Sequence, residues 1–164
     1  MTPHGDDRFT LMENAMPRTN GFTLVEMMVV LTIALILGAL AYPSYASYMT
    51  RLRRIEAQTA LLQTMQDQER YYTQHNAYLP FSADSDDPDA RHFHWWLGSE
   101  PARSAYELSG RACVNLPLTA CIELRAIPGT GRVDSRFRDA DCETLTLTNS
   151  GEHGASGRMA RCWP

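Results

Sequence analysis

The chain has 164 residues, with 15 basic and 19 acidic side chains for a formal net charge of −4 with histidine neutral, and 44% hydrophobic residues. That length leaves room for one domain beside an anchor, and the charge balance excludes a strongly basic nucleic-acid binder. All 15 basic residues are arginine, a matter of genomic composition more than of chemistry.

Residues 1–20 mix Asp6, Asp7 and Glu13 with Arg8 and Arg18. Met12 and Met16 are alternative starts, and beginning at Met16 leaves the compact basic stretch Met16–Gly21; a start later than Met1 is the expectation. From Phe22 to Ala41 the chain is apolar apart from Thr23, Glu26 and Thr32. At about 1.5 Å per residue, a helix of about 20 residues crosses the roughly 30 Å of bilayer hydrocarbon, so this is a membrane-helix candidate. An ordinary secretory peptide fits less well, because its cleavage site follows the apolar region and favours small residues.

Glu26 is the anomaly in that run, since an acidic group at mid-depth costs on the order of 2.5–3.5 kcal/mol. Two readings stay open. The carboxylate can lie close enough to the interface to snorkel. Alternatively, a cut after Gly21 supplies its partner, because the new α-amine of Phe22 would sit one helical turn away on the same face. Arg51, Arg53 and Arg54 beyond the run favour keeping the following residues inside, although that rule weakens for a long translocated domain.

The helical pattern continues past the apolar run. Tyr45, Tyr48, Leu52, Ile55, Thr59 and Leu62 recur at spacings of three and four, with Met65, Glu69 and Tyr72 near the same stripe. The spacing predicts one helix from about Phe22 to Thr73, its second half packing that stripe on a sheet, with Arg54 and Gln58 elsewhere. Pro43 removes a backbone donor, so a kink or local loosening is expected there, with Gly38 adding to it.

Residues 76–105 read as a connecting loop, broken by Asn76, Pro80, Asp84, Asp86, Asp87, Pro88, Asp89 and Gly98, with one short turn or strand around Phe93–Leu97. The acidic run lacks the glycine and distal glutamate of a calcium loop, and Pro88 interrupts it. His92 and His94 could ligate a metal from a strand but have no third ligand in sight, so no metal or cofactor is expected. Trp95, Trp96 and Phe93 beside Arg91 and Arg103 could stack on single-stranded DNA. The neighbouring acids oppose a phosphate-binding surface, so nucleic acid is not expected as a partner, and an adhesive or subunit-contact patch is preferred. No Walker loop, nucleophile elbow or HExxH is present, and no enzyme is expected.

Tyr106–Cys113, Cys121–Ile127 and Thr144–Thr148 are short β-favouring runs separated by turn residues, which predicts an antiparallel meander of three strands. Cys113, Cys121, Cys142 and Cys162 lie together in the last third of a chain that reads as exported, which favours two disulfides. Three connectivities are possible. The local pairing Cys113–Cys121 and Cys142–Cys162 is preferred because each closes a short loop, and the spacings are too wide for a zinc site.

Gly21-Phe22-Thr23-Leu24-Val25-Glu26, followed by the uncharged run, resembles the class III signal peptide of type IV pilins and of type II secretion pseudopilins. The resemblance implies that a prepilin peptidase cuts after Gly21 and methylates Phe22, and that Glu26 pairs with a neighbouring subunit's N-terminus during assembly. Further motifs narrow it. Glu69-Arg70-Tyr71-Tyr72-Thr73 leading to Ala77-Tyr78, then Cys142-Glu143-Thr144-Leu145-Thr146-Leu147-Thr148 with Gly151 and Gly154, and finally Cys162-Trp163, are similar to PilE-type minor pilins and their disulfide-bounded C-terminal loop, the D-region.

What the resemblance implies is an α+β type IV pilin fold, a long N-terminal helix packed on a small antiparallel sheet. Its parts would be a removed leader (1–21), a transmembrane and filament-core helix (22–43), an amphipathic continuation (44–75), a connecting loop (76–105), and a sheet with D-region (106–164). The implied function is a minor structural subunit of a type IV pilus, acting in assembly priming and thereby in twitching motility and adhesion. A major pilin, a type II secretion pseudopilin, a DNA-uptake pilin and a membrane-anchored enzyme or binding domain are the alternatives. Implied partners are other major and minor pilins, the prepilin peptidase, the inner-membrane assembly platform and, before assembly, membrane lipid. The implied location is the inner membrane, with the C-terminal domain periplasmic, and the extracellular pilus.

Overall fold

The computed structural model describes residues 21–164; the expectations about residues 1–20, the leader and its alternative starts, lie outside them. The chain divides into two units, the first ending at Tyr42 and the second running from Pro43 to Pro164. One helix, α1, is assigned from Leu24 to His75. The kink expected at Pro43 concerns a residue whose side chain lies outside the description.

In the first unit every described helical residue is exposed. The stretch is long and apolar enough to cross a membrane, and none of its most apolar window is buried. Thr32 returns its hydroxyl to the Met28 carbonyl at 2.7 Å rather than leaving it unpaired.

In the second unit α1 buries Arg54, Ala57, Gln58, Leu61 and Gln68. This corrects the predicted stripe: Tyr45, Tyr48, Leu52, Ile55 and Leu62 are exposed. The large apolar residues point to a different face. Ala57, at 0% exposure, has no long side chain to hold the sheet away, and the polar residues beside it are buried because each finds a partner.

Four strands follow, β1 (Tyr106–Ala112), β2 (Ile122–Pro128), β3 (Leu145–Thr148) and β4 (His153–Ala155). They form one antiparallel sheet in the order β1-β2-β3-β4. Burial alternates with period two along β1, β2 and β3, so Tyr106, Leu108, Ile122, Leu124, Ala126, Leu145 and Leu147 make one face of a shared core with Ala57 and Leu61 of α1. The register sets Leu108 opposite Ala126, and Leu124 opposite both Gly110 and Leu147. β4 is absent from the prediction because three residues, one of them glycine, carry too little pattern.

The connecting loop covers the outer edge of β1. Phe81 exchanges backbone hydrogen bonds with Gly110 at 2.9 and 3.1 Å, and Leu108 donates to the Trp95 carbonyl at 2.8 Å. The strand expected around Phe93–Leu97 is reduced to a single bridge between Trp96 and Glu107, which leaves few β1 edge groups open to another chain. Short 3₁₀ turns at Asp89–His92 and Pro101–Arg103 complete the loop. Disulfides join Cys113 to Cys121 across the β1–β2 connection and Cys142 to Cys162 around β3 and β4.

Candidate functional site

The processing motif lies in the first unit, with Gly21, Phe22 and Glu26 all exposed. Thr23 caps α1. Its hydroxyl accepts from the Glu26 amide at 3.2 Å, while Glu26 Oε2 accepts from the Thr23 amide at 2.9 Å and from its hydroxyl at 3.0 Å. This is a reciprocal capping box, which Thr-x-x-Glu before an apolar run signals in the sequence and which the readings of Glu26 by its charge alone do not include. All the bonds to the carboxylate fall on Oε2, so Glu26 Oε1 has no partner among the described residues and is free for a donor from outside the helix.

In the second unit the helix is fixed to the C-terminal loop by buried polar groups. Arg54 donates to Asp139 through Nε (2.8 Å) and Nη2 (2.6 Å), Tyr106 donates its hydroxyl to Asp139 Oδ2 at 2.6 Å, and the Cys142 amide donates to Oδ1 at 3.2 Å. Burial by itself raises the Asp139 carboxyl, but the bonds from Arg54 and Tyr106, with the charge of Arg54, outweigh it and hold the group below its ordinary value. The Tyr106 hydroxyl is pushed far up, first by burial and then by donating to Asp139. Two glutamines extend the fastening: Gln58 donates to the Cys162 carbonyl, and Gln68 both donates to and accepts from the Leu79 backbone at 2.7 and 3.0 Å. Gln68 thus replaces a strand neighbour for the loop. Tyr78 donates to Glu69 at 2.8 Å, and burial, then that bond, pushes its phenol up to about 12.

The aromatic and histidine cluster of the loop is partly buried by the fold. Phe93 is buried, stacked on Phe81 with ring centroids 5.3 Å apart and edge-on to Tyr71, so it is not available to a ligand. Trp96 meets Trp95 and His94 edge to face at 5.0 and 4.9 Å. His92 lines two cavities, one of about 420 Å³ with Asp67, Arg70, His75 and Asp89 and one of about 270 Å³ with Phe93, His94 and Trp96. Arg103 is paired with Glu100 and Arg132 with Asp84. Among the described residues, no three histidine, cysteine, aspartate or glutamate side chains gather as metal ligands.

Beside the second half of α1, Arg51, Ile55 and Gln58 face Met159, Arg161, Cys162 and Trp163 across a groove of about 620 Å³. Trp163 is held by its Nε1 donating to the Gly154 carbonyl at 2.8 Å, and its ring lies 5.2 Å from His153. Among the described residues Arg51, Arg158 and Arg161 have no carboxylate within 4 Å. Apart from Cys162, expected in a disulfide, sequence reasoning places none of these residues in a site, because the tail's position against the helix depends on the disulfide and on Gln58.

Comparison with known proteins adds the family. Residues 43–146 match the family model described as "Type IV minor pilin ComP, DNA uptake sequence receptor", and residues 16–42 match the prokaryotic N-terminal methylation motif. The type IV major pilin protein PilA of Myxococcus xanthus (strain DK1622) is 35% identical over 66 residues, which is 40% of this chain and 30% of that protein; the match thus spans under a third of the relative's length. Two solved structures are similar. A type IV pilin from Shewanella oneidensis has a TM-score of 0.42 and 23% identity over 70% of this chain and 98% of that one. The Neisseria meningitidis non-core minor pilin PilV has a TM-score of 0.45 and 22% identity over 71% and 95%. The family description runs against the expectation that nucleic acid is no partner. The fold is the type IV pilin fold, the chain is a prepilin with an apolar N-terminal helix, and its family is one of structural, non-enzymatic subunits. With its methylation motif and a family match over residues 43–146, the chain belongs to the type IV minor pilin family described as ComP, DNA uptake sequence receptor.

Proposed function

We propose that this minor pilin captures DNA for uptake by a type IV pilus. The observation that carries the reading is the match across residues 43–146 to a family described as a DNA uptake sequence receptor. On that description DNA uptake takes the place of the assembly-priming, twitching and adhesion role expected from the sequence.

The route to the pilus follows from the first unit. Cleavage after Gly21 gives a mature N-terminus at Phe22, and Phe22–Ala41 holds the subunit in the inner membrane, its C-terminal unit periplasmic, until the assembly platform moves the helix into a filament core. There Glu26 pairs with the α-amine of a neighbouring pilin, since an unpaired carboxylate in an apolar core is costly. The exposed residues Tyr45, Tyr48, Leu52 and Leu62 support packing against other major and minor pilins, because an apolar helix face on a monomer marks an interaction surface.

The test is made on sheared pili from the native host and from a strain lacking this gene. Mass spectrometry is expected to find an N-methylated Phe22 terminus in the wild-type fraction, and labelled duplex DNA is expected to co-sediment with wild-type pili and not with mutant pili. Equal DNA capture by the two preparations contradicts the reading.

A further inference from the structure

We propose that the groove between α1 and the C-terminal tail is the track that holds the DNA backbone, with Arg51 and Arg161 gripping phosphates and Trp163 forming an aromatic wall. The proposal rests on the DNA-uptake reading and goes beyond it by naming the surface. Arg161 and Trp163 lie past residue 146, outside the family match.

Three observations favour this surface over the tryptophan loop. The first is charge. The groove lining contains three arginines and no aspartate or glutamate, whereas the cavity beside Trp95 and Trp96 has Arg91 alone and the His92 cavity includes Asp67 and Asp89. Of the three arginines, Arg54 is committed to Asp139, which leaves Arg51 and Arg161 exposed and unpaired among the described residues. Asp141, 3.6 Å from Arg54, lies behind that pair and outside the lining. Unpaired guanidinium groups in a groove without aspartate or glutamate suit phosphate oxygens, which accept two parallel N–H bonds from each.

The second is preorganisation. Trp163 is tied through its Nε1, through the Cys142–Cys162 bridge next to it, and through the bond from Gln58 to the Cys162 carbonyl. An aromatic wall fixed before binding gives up little entropy when the sugar edge of a duplex packs on it. The third is continuity. On the far side of Trp163 a second groove of about 310 Å³, lined by His153, Gly154, Ala155, Met159 and Ala160, also lacks aspartate and glutamate. The two share Met159, Cys162 and Trp163 and make a path lined by no aspartate or glutamate, the form suited to a polyanion rather than a single ion. Anionic lipid headgroups share the phosphate chemistry, and the family description as a DNA uptake sequence receptor favours nucleic acid.

The test uses the full chain in detergent micelles, with binding of a fluorescently labelled duplex followed by anisotropy over a series of salt concentrations. The double substitution Arg51→Gln/Arg161→Gln is expected to weaken binding about tenfold or more and to reduce the log–log salt slope by about two, close to one for each phosphate no longer neutralised. Arg51→Lys/Arg161→Lys keeps both charges and is expected to retain most of the salt slope. Arg103→Gln/Arg136→Gln, which removes two exposed arginines elsewhere, is expected to match wild type. Wild-type affinity and slope in the groove variant, with wild type binding DNA, overturns the groove and leaves the uptake reading standing. Absence of binding by wild type overturns both. A groove variant that binds DNA normally but loses phosphatidylglycerol vesicles, or drops out of sheared pili, overturns the proposal and assigns the surface to lipid or to a neighbouring pilin.

Discussion

Arg54 and Asp139, 85 residues apart in the chain, meet as a buried two-pronged ion pair at 2.6 and 2.8 Å that fastens the helix to the C-terminal loop. Removing one partner strands the other in the core, which costs about 3–5 kcal/mol. Arg54→Ala is therefore expected to lower unfolding stability by that amount, measured by denaturant titration of the full chain with near-ultraviolet circular dichroism. Arg54→Met/Asp139→Leu is expected to cost less than the sum of the two single changes, because the pair is removed together.

The same carboxylate sets an acid limit. Its folded value lies below its unfolded value near 3.8. The stability it contributes is thus present above pH of about 4 and is lost as pH falls through the folded value. Stability measured from pH 6 down to pH 2 is expected to fall below about pH 4 in wild type and to fall less steeply in Asp139→Asn. Parallel curves for the two proteins contradict the assignment.

Gly110 lies under the Phe81 ring. A Cβ placed there would lie 2.7 Å from one ring carbon and 3.1 Å from Leu124, and Phe81 is itself buried in the core. Gly110→Ala is expected to destabilise by about 1–3 kcal/mol, as overpacking does. Gly131→Ala, which meets open space, is expected to stay within about 0.5 kcal/mol of wild type. Thermal melts of the two variants compare them directly.

The elements legible in the sequence are those written in one residue class. The apolar run, the helix length and the alternation of β1, β2 and β3 all follow from hydrophobic periodicity. The buried face of α1 does not, because it is written in Ala57, Arg54, Gln58 and Gln68, whose burial depends on partners distant in the chain: Asp139, the Cys162 carbonyl and the Leu79 backbone. Period counting sees side-chain polarity and not the partner that offsets it. Glu26 stands out in the sequence for its charge, which masks its simpler local bond to Thr23 three residues back. The groove beside Trp163 brings together residues from the helix and the end of the chain, a juxtaposition that only the folded tail creates.

The Cys142–Cys162 bridge closes a loop of 20-residue separation. By chain entropy it contributes about 3 kcal/mol, roughly 0.5–1 kcal/mol more than the shorter Cys113–Cys121 loop. Cys142→Ser/Cys162→Ser is expected to lower the denaturation midpoint more than Cys113→Ser/Cys121→Ser. It is also expected to free Trp163, seen as a red-shifted and more readily quenched tryptophan fluorescence. An unchanged spectrum would show that Gln58 and Gly154 hold the tail alone.

Thr23 and Glu26 separate capping from assembly. Thr23→Ala removes the hydroxyl that caps the helix, a loss of about 1 kcal/mol, and leaves the carboxylate in place. It is expected to enter sheared pili nearly as well as wild type, whereas Glu26→Ala is expected to remain in the membrane fraction with its C-terminal unit folded. Equal incorporation of Glu26→Ala and wild type sinks the pairing role for Glu26.

The most direct measurement of the central claim is uptake of labelled DNA into a nuclease-protected state by cells of the native host lacking this gene, with surface pili counted in the same culture. The account predicts that pili persist, that protected DNA falls to background, and that the intact gene restores it. Wild-type uptake in the deleted strain, with pili present, contradicts it.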